Sequence, residues 1–307
     1  MTTALLISFV MTVAIAATPI LLASIGELVA EKAGVLNLGV EGMMLVGAVT
    51  GFAAATLTGS PYLGLLAAML GGIATALIFA GLTLGLSANQ AATGLALTIF
   101  GTGASSLIGA PFVGRTVERL GPLLPAELSG HPVLRVVLGY DILVYLALAL
   151  TAAVAWWLTR TRAGLILRAV GESDSSAHSI GYPVLAVRTA AVAFGGALAG
   201  LAGAYFSLEL TPMWADRLTA GRGWIALALV VFASWRPGRL LAGAYLFGAV
   251  MTLELHAKAA GFTLLPPEML AMLPYLATIV VLTLISMRPG RLAAAAPACL
   301  GKAFSPA

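Results

Sequence analysis

The chain has 307 residues, of which 60% are hydrophobic and 9% charged, and its mean hydropathy is +1.03. Soluble domains carry about 25% charged residues, so too little polar surface exists here to face water on all sides; a cytosolic enzyme, a disordered chain and a disulfide-stapled secreted domain are excluded. The balance of 16 Lys+Arg against 12 Asp+Glu gives +4, but the basic residues sit in short stretches between apolar runs, which points to membrane orientation and not to nucleic acid.

In chain order, the apolar runs cover residues 4–23, 40–57, 63–86, 91–107, 142–158, 185–207, 218–235, 240–255 and 270–285. They are apolar all round, without the period-two alternation of barrel strands, so they read as helices. The expected fold class is an all-α, polytopic membrane helix bundle of about 8–10 transmembrane helices, forming one integral membrane domain over residues 1–307. No Lys or Arg precedes the first run, so it lacks the positive region of a secretory signal and reads as a retained helix. The single Cys299 excludes a disulfide framework and a cysteine metal cluster.

Arg160, Arg162, Arg168 and Arg188 crowd the connection between the fifth and sixth runs, which places it in the cytoplasm. Arg236 and Arg239 mark the next inside turn, and Arg288, Arg291 and Lys302 put the C-terminal end inside. The 110–140 connection then falls outside, as does the N-terminal end unless residues 26–42 re-enter. Gly196 and Gly200, with Gly195, Ala199 and Gly203, form small-residue stripes for close helix packing within the subunit or between subunits.

Three stretches break the apolar pattern. Residues 26–42 hold Glu27, Glu31, Lys32, Asn37 and Glu41 with glycines at 34, 39 and 42. They form either an exposed loop or a broken helix, and intramembrane carboxylates mark a pathway or a gate. Asn37 and Glu41 are four apart and, if helical, share one face. With Asn89 and Gln90, which open a later helix, and Arg222, they are the candidate substrate-pathway residues. Residues 168–183 form the most polar inside connection. There Ser173 or Asp174 can cap a short helix ending near Gly181 before Pro183, read either as a plain loop or as a partner-binding helix. Residues 218–228 put Arg222 at the external mouth of a marginally long helix, where it either snorkels to the interface or anchors a gate.

Enzymatic chemistry has little to stand on. Ser105 and Ser106 have only His131, His178 and His256 as possible bases, and these lie outside the spans or at a helix end. No GxxxxGK[ST] loop occurs, so ATP hydrolysis is not expected on this chain. No catalytic residue, no metal site and no cofactor is expected.

The segments "GELVAEKAGVLNLGVEGMMLVGA" (26–48), "NQAATGLALTIFGTGASSLIG" (89–109), "RAVGESDSSAHSIGYPVLAVR" (168–188) with "GGALAGLAGAYFSL" (195–208), and "TAGRGWIALALVVFASWRP" (219–237) occur in family order. They resemble the permease subunits of bacterial ABC importers in the ribose/branched-chain amino acid permease superfamily, most closely the shorter permease of nucleoside importers that use a basic-membrane-protein-type lipoprotein. The resemblance implies the ABC importer permease fold in a bacterial inner membrane. It implies as partners a second related permease in a heterodimer, a cytoplasmic ATPase with two nucleotide-binding halves that binds the ATP, an extracytoplasmic substrate-binding protein and membrane lipid, with no nucleic acid. It implies a cytoplasmic coupling segment at 168–183, with the ATPase-coupling role on Gly171, Glu172, Ala177 and Gly181. Lys32 stands where the family often has Arg, and Ser173-Asp174 where it often has Asn-Pro. The function implied is half of a translocation path for a small polar uncharged solute, most closely a nucleoside. The alternatives are a simple sugar or branched-chain amino acid permease of the same kind, or a stand-alone channel or secondary transporter. The last would more often show paired broken helices, whereas one broken segment is legible here.

Overall fold

The computed structural model describes residues 3–123, 132–259 and 296–304, with isolated positions between 269 and 283. The elements are α1 (Thr3–Lys32), α2 (Val40–Thr58), α3 (Pro61–Ala80), α4 (Gln90–Gly109), α5 (Pro132–Leu138), α6 (Ile142–Arg160), α7 (Arg162–Glu172), α8 (Asp174–Ser179), α9 (Val184–Tyr205), α10 (Arg222–Phe232) and α11 (Pro237–Ala259). One π-helical turn extends α3 over Gly81–Gly85 and another extends α9 over Phe206–Leu210. Among the described residues there is no strand, only two isolated bridges that tie Val113 and Thr116 to Trp214 and Met213. Among the described residues, seven helices are long and apolar enough to cross a membrane, which makes the chain an all-α, multi-pass membrane protein. The apolar run at 270–285 lies outside the described residues, isolated positions excepted.

Local chemistry sets the helix starts. Ser60 caps α3 ahead of Pro61, Asn89 caps α4 through the Ala92 amide at 2.9 Å, and Asp141 caps α6 through the Leu143 amide at 2.8 Å. Each side-chain oxygen takes an amide that has no intrahelical partner. Inside the spans, hydroxyls fold back on their own helix, as Thr18 does to the Ala14 carbonyl and Thr83 to Phe79. That satisfies them without water.

The packing order follows from burial. Over the apolar window of α2, 72% of residues are buried, against 28% for α4 and for α11. So α2 and α9 form the centre, and α3, α4, α6 and α11 turn residues such as Leu70, Ile99 and Trp156 outward to lipid. The small-residue stripe packs within the subunit: a Cβ on Gly200 would meet the Ala68 carbonyl, one on Gly196 would meet Gly72, and one on Gly203 the Met44 carbonyl. Backbones approach this closely only where no side chain intervenes.

Lys32, Arg160, Arg162, Arg168, Arg188 and Lys302 gather at one end, where α7 and the C-terminal residues 296–304 pack on the end of α1. From this Arg-rich end α1 runs to the opposite end, so residues 26–42 leave the parity unchanged and the N-terminal end of α1 lies at the end opposite the Arg-rich one.

Candidate functional site

The 26–42 stretch is neither an exposed loop nor one helix. Helix α1 continues to Lys32, residues 33–39 form a loop that is buried apart from half-buried Leu36 and Leu38, and α2 begins at Val40. This loop climbs along α4. The Leu36 amide donates to Gln90 Oε1 at 2.8 Å, Thr98 Oγ1 donates to the Leu38 carbonyl at 3.1 Å, and Gly42 lies against Leu97. From Gln90 to Leu97 a helix rises about 10 Å at roughly 1.5 Å per residue. Helix α2 therefore starts about two turns along α4 from its first residue.

A second interruption meets it there. The 218–235 run is not a full span: α10 has 11 residues, too few to cross. It is preceded by a non-helical segment in which Arg217, Ala220 and Gly221 have positive φ, and followed by Ser234 and Trp235, which do too. Non-glycine residues in that region store strain and persist only where the surroundings hold them. The holding group is Glu41. Its Oε1 accepts from Thr219 Oγ1 at 2.6 Å and the Gly221 amide at 2.8 Å, and its Oε2 accepts from the Gly223 amide at 2.6 Å. A carboxylate thus fills the unsatisfied N-terminus of α10, the end where the helix dipole favours negative charge. Two helix N-termini joined through one carboxylate make a buried polar junction inside the bundle, named the hinge below.

Arg222 opens α10 beside this hinge and not at the external mouth of a span. Its guanidinium lies 4.7 Å from the Phe206 ring centroid, and its Nη1 donates to the Thr219 carbonyl at 3.3 Å. Asn37 is fully buried in the loop below and is not helical, so it shares no helical face with Glu41. Its Oδ1 accepts from the Gly39 amide at 3.0 Å, and its amide donates to Glu27 Oε1 at 3.2 Å. Gln90, also buried, sits at the Arg-rich end, where its Nε2 donates to the Lys302 carbonyl at 3.4 Å, and Asn89 is exposed there as a cap. Glu41 and Arg222 therefore belong to the hinge, Asn37 lies next to it, and Asn89 and Gln90 are at the Arg-rich end.

Sequence reasoning did not single out three features: the shared buried face of Glu27 and Glu31, Trp235 as a partner, and Thr219. Glu27 and Glu31 lie four apart on α1, each 1% exposed, and Trp235 Nε1 donates to Glu31 Oε2. Glu27 Oε2 is buried without a hydrogen-bond partner among the described residues. Thr219, the hydroxyl donor to Glu41, is the third. The four-residue spacing of Glu27 and Glu31 was a legible signal for one buried face. Thr219 and Trp235 carried none, because their partners are far away in sequence.

At the same Arg-rich end, Ser173 caps α8 by accepting from the Ser176 amide at 3.3 Å, and Gly181, at φ +91°, turns the chain toward Pro183. The four coupling candidates divide. Gly171 and Ala177 are buried against the body, and a Cβ on Gly171 would meet the Lys32 carbonyl. Glu172 and Gly181 are exposed, together with His178 and with Ile180 at 72%. Ile180 is an apolar side chain standing out at the tip of a polar helix, and it was not singled out from sequence.

The second interruption removes the argument that one broken segment alone separates a subunit from a stand-alone transporter. Comparisons with known proteins do separate them. Residues 9–282 match the branched-chain amino acid transport system / permease component family. The Haloferax volcanii permease TsgC13, whose name assigns it provisionally to glucose ABC transport, is 39% identical over 94% of this chain and 95% of its own. The guanosine ABC transporter permease NupQ of Bacillus subtilis is 31% identical over 87% of this chain and 88% of its own. The nucleoside ABC transporter permease NupC of Lactococcus lactis subsp. cremoris is 30% identical over 94% and 91%.

Proposed function

The chain belongs to the branched-chain amino acid transport system / permease component family, and from that premise we propose that it forms half of the translocation path of an ATP-driven importer. ATP is bound and hydrolysed by a separate cytoplasmic ATPase with two nucleotide-binding halves, seated against α8. A second, related permease completes a heterodimer in the bacterial inner membrane, and an extracytoplasmic binding protein delivers the solute. The permease itself takes no cofactor.

The observation that carries this reading is the pairing of a central polar hinge with an exposed polar segment at the Arg-rich end. The hinge joins α2 and α10 through Glu41, and the end of α7, α8 and the residue after it offer Glu172, His178 and Ile180 to a partner. One is a place where the path can change shape, and the other is a place where a partner can drive the change.

The solute is uncharged and polar, and most closely a nucleoside. Glu41 is buried in the hinge, and an anion approaching a carboxylate in low dielectric meets an electrostatic cost. Two relatives named for nucleosides or guanosine support that choice. The 39% identical relative favours a second reading, a hexose such as glucose. Both solutes present a neutral, hydroxyl-bearing sugar ring.

The test is binding of nucleosides, glucose, pentoses and branched-chain amino acids to the purified partner binding protein. Nucleoside binding supports the first reading and glucose binding alone supports the second. Binding of branched-chain amino acids alone removes both. Solute uptake by the isolated chain in vesicles, without ATPase or ATP, would instead establish a stand-alone transporter.

A further inference from the structure

Residues 296–304 lie at the junction between the membrane body and the coupling segment, and they are held there from both sides. Toward the coupling segment, the Cys299 amide donates to the Gly171 carbonyl at 2.9 Å. Phe304, 9% exposed, packs on Val170, Ala177 and Val184, with its ring 5.4 Å edge-on to His178. Toward the membrane body, the Gly301 amide donates to the Gly34 carbonyl at 3.2 Å, and Gln90 reaches the Lys302 carbonyl.

Arg188 closes the junction. It is fully buried: its Nε donates to the Ala33 carbonyl at 3.1 Å, its Nη2 pairs with Asp174 Oδ2 at 3.0 Å, and its Nη1 reaches the Lys302 carbonyl at 3.5 Å. One guanidinium thus ties the loop that leads into α2, the first residue of α8 and the C-terminal segment. A planar fork with five fixed donors suits such a three-way junction, where a lysine would not.

The Gly34 end of this junction continues directly into the loop that carries Asn37 and then Glu41. We propose that residues 296–304 are a positioning strut for energy coupling: they weld α8 to the 33–39 loop, so that displacement of the coupling segment is passed to the Glu41 hinge. Phe304 is the anchor on the coupling side and Gly301 the anchor on the loop side. The strut stays docked through the cycle and transmits movement; it is not a latch that opens. The inference rests on the reading of 168–183 as the segment that meets the ATPase.

The test uses the assembled transporter in proteoliposomes and reads solute taken up per ATP hydrolysed. Phe304→Ala should leave insertion, ATPase association and ATP hydrolysis intact while uptake per ATP falls about tenfold, within the range by which residues along a coupling element alter coupling. Phe304→Leu, which keeps an apolar anchor, should restore the ratio. An unchanged ratio in Phe304→Ala, and in a variant with 299–304 replaced by Gly-Ser repeats, overturns the strut.

A second arm fixes the strut in place instead of loosening it, with the reduced double-cysteine variant as the control for the side chain placed at φ +74°. A Cβ on Gly301 would stand 3.9 Å from Leu36 Cβ, inside the range for a disulfide. Oxidising Leu36→Cys/Gly301→Cys in a Cys299→Ser background should leave uptake intact. Loss of uptake on oxidation, recovered with reductant, would show a latch and overturn the proposal. The coupling reading fails separately, if Gly181→Trp leaves ATPase association and ATP hydrolysis unchanged.

Discussion

The Glu41 carboxylate and the Gly223 amide meet at 2.6 Å although 182 residues separate them in the chain. With Thr219 and Gly221 on the other oxygen, this one side chain closes the N-terminus of a short helix that has no cap of its own. The centre of the bundle is held by electrostatics at a place where the other contacts are apolar.

Replacing Glu41 by Ala leaves two amides and a hydroxyl unpaired in a buried site. The expected loss of stability is about 2–4 kcal/mol, read as a lower unfolding midpoint in detergent. Glu41→Gln, which keeps an acceptor oxygen, should lose less stability. Its solute uptake should still fall, because the neutral amide binds the positive end of α10 less strongly.

The glycine contacts between α3 and α9 separate packing from propensity. Gly200→Ala sets a methyl against the Ala68 carbonyl and should destabilise by about 1–3 kcal/mol. Gly103→Ala, on an exposed helical position with nothing near its Cβ, should be neutral or stabilising by up to about 1 kcal/mol. Equal unfolding midpoints for the two variants would contradict this assignment.

At the cytoplasmic surface, Ile180→Asp should weaken co-purification of the ATPase without lowering the amount of inserted permease. Gly181→Trp should act in the same direction, but it also places a side chain at φ +91°, so Ile180→Asp isolates docking from backbone strain. Gly171→Ala, by contrast, should reduce the inserted protein itself.

Water-soluble thiol reagents give a reading of the path. In a Cys299→Ser background, Asn37→Cys should be protected in the resting state, as expected for a fully buried position, and should react during ATP turnover if the loop lines the path. Protection in every state, while exposed positions such as Ser175 react, would remove Asn37 from it.

Burial pushes the Asp141 carboxyl above the ordinary aspartate range, opposed by the hydrogen bond from Tyr205 and the amides of Leu143 and Val144. A raised folded-state value means the associated stability is fully present below the unfolded value, about 3.9, and is lost as pH rises through the folded value. Unfolding midpoints should therefore decline across that window. Asp141→Asn, which keeps a capping oxygen, should flatten the decline.

The sequence by itself determined the class of molecule, the places of seven spans among the described residues and the cap of α8. Hydropathy is a property of 20 neighbouring residues, and Ser173 finds its amide three residues away, so both are legible locally. The buried carboxylates of 26–42 were legible as a group for the same reason. Only the tertiary structure decided that the 218–235 run is a short helix and not a span, because α10 begins only where Glu41 fills its N-terminus. It also decided which coupling candidates are buried, since Gly171 is covered by α1 whereas Gly181 is exposed among the described residues. Residues 296–304 were invisible beforehand because most of their hydrogen bonds use backbone amides and carbonyls, which every residue carries. Side-chain type marks what a residue can do, and packing alone brings a carboxylate to amides 182 positions away.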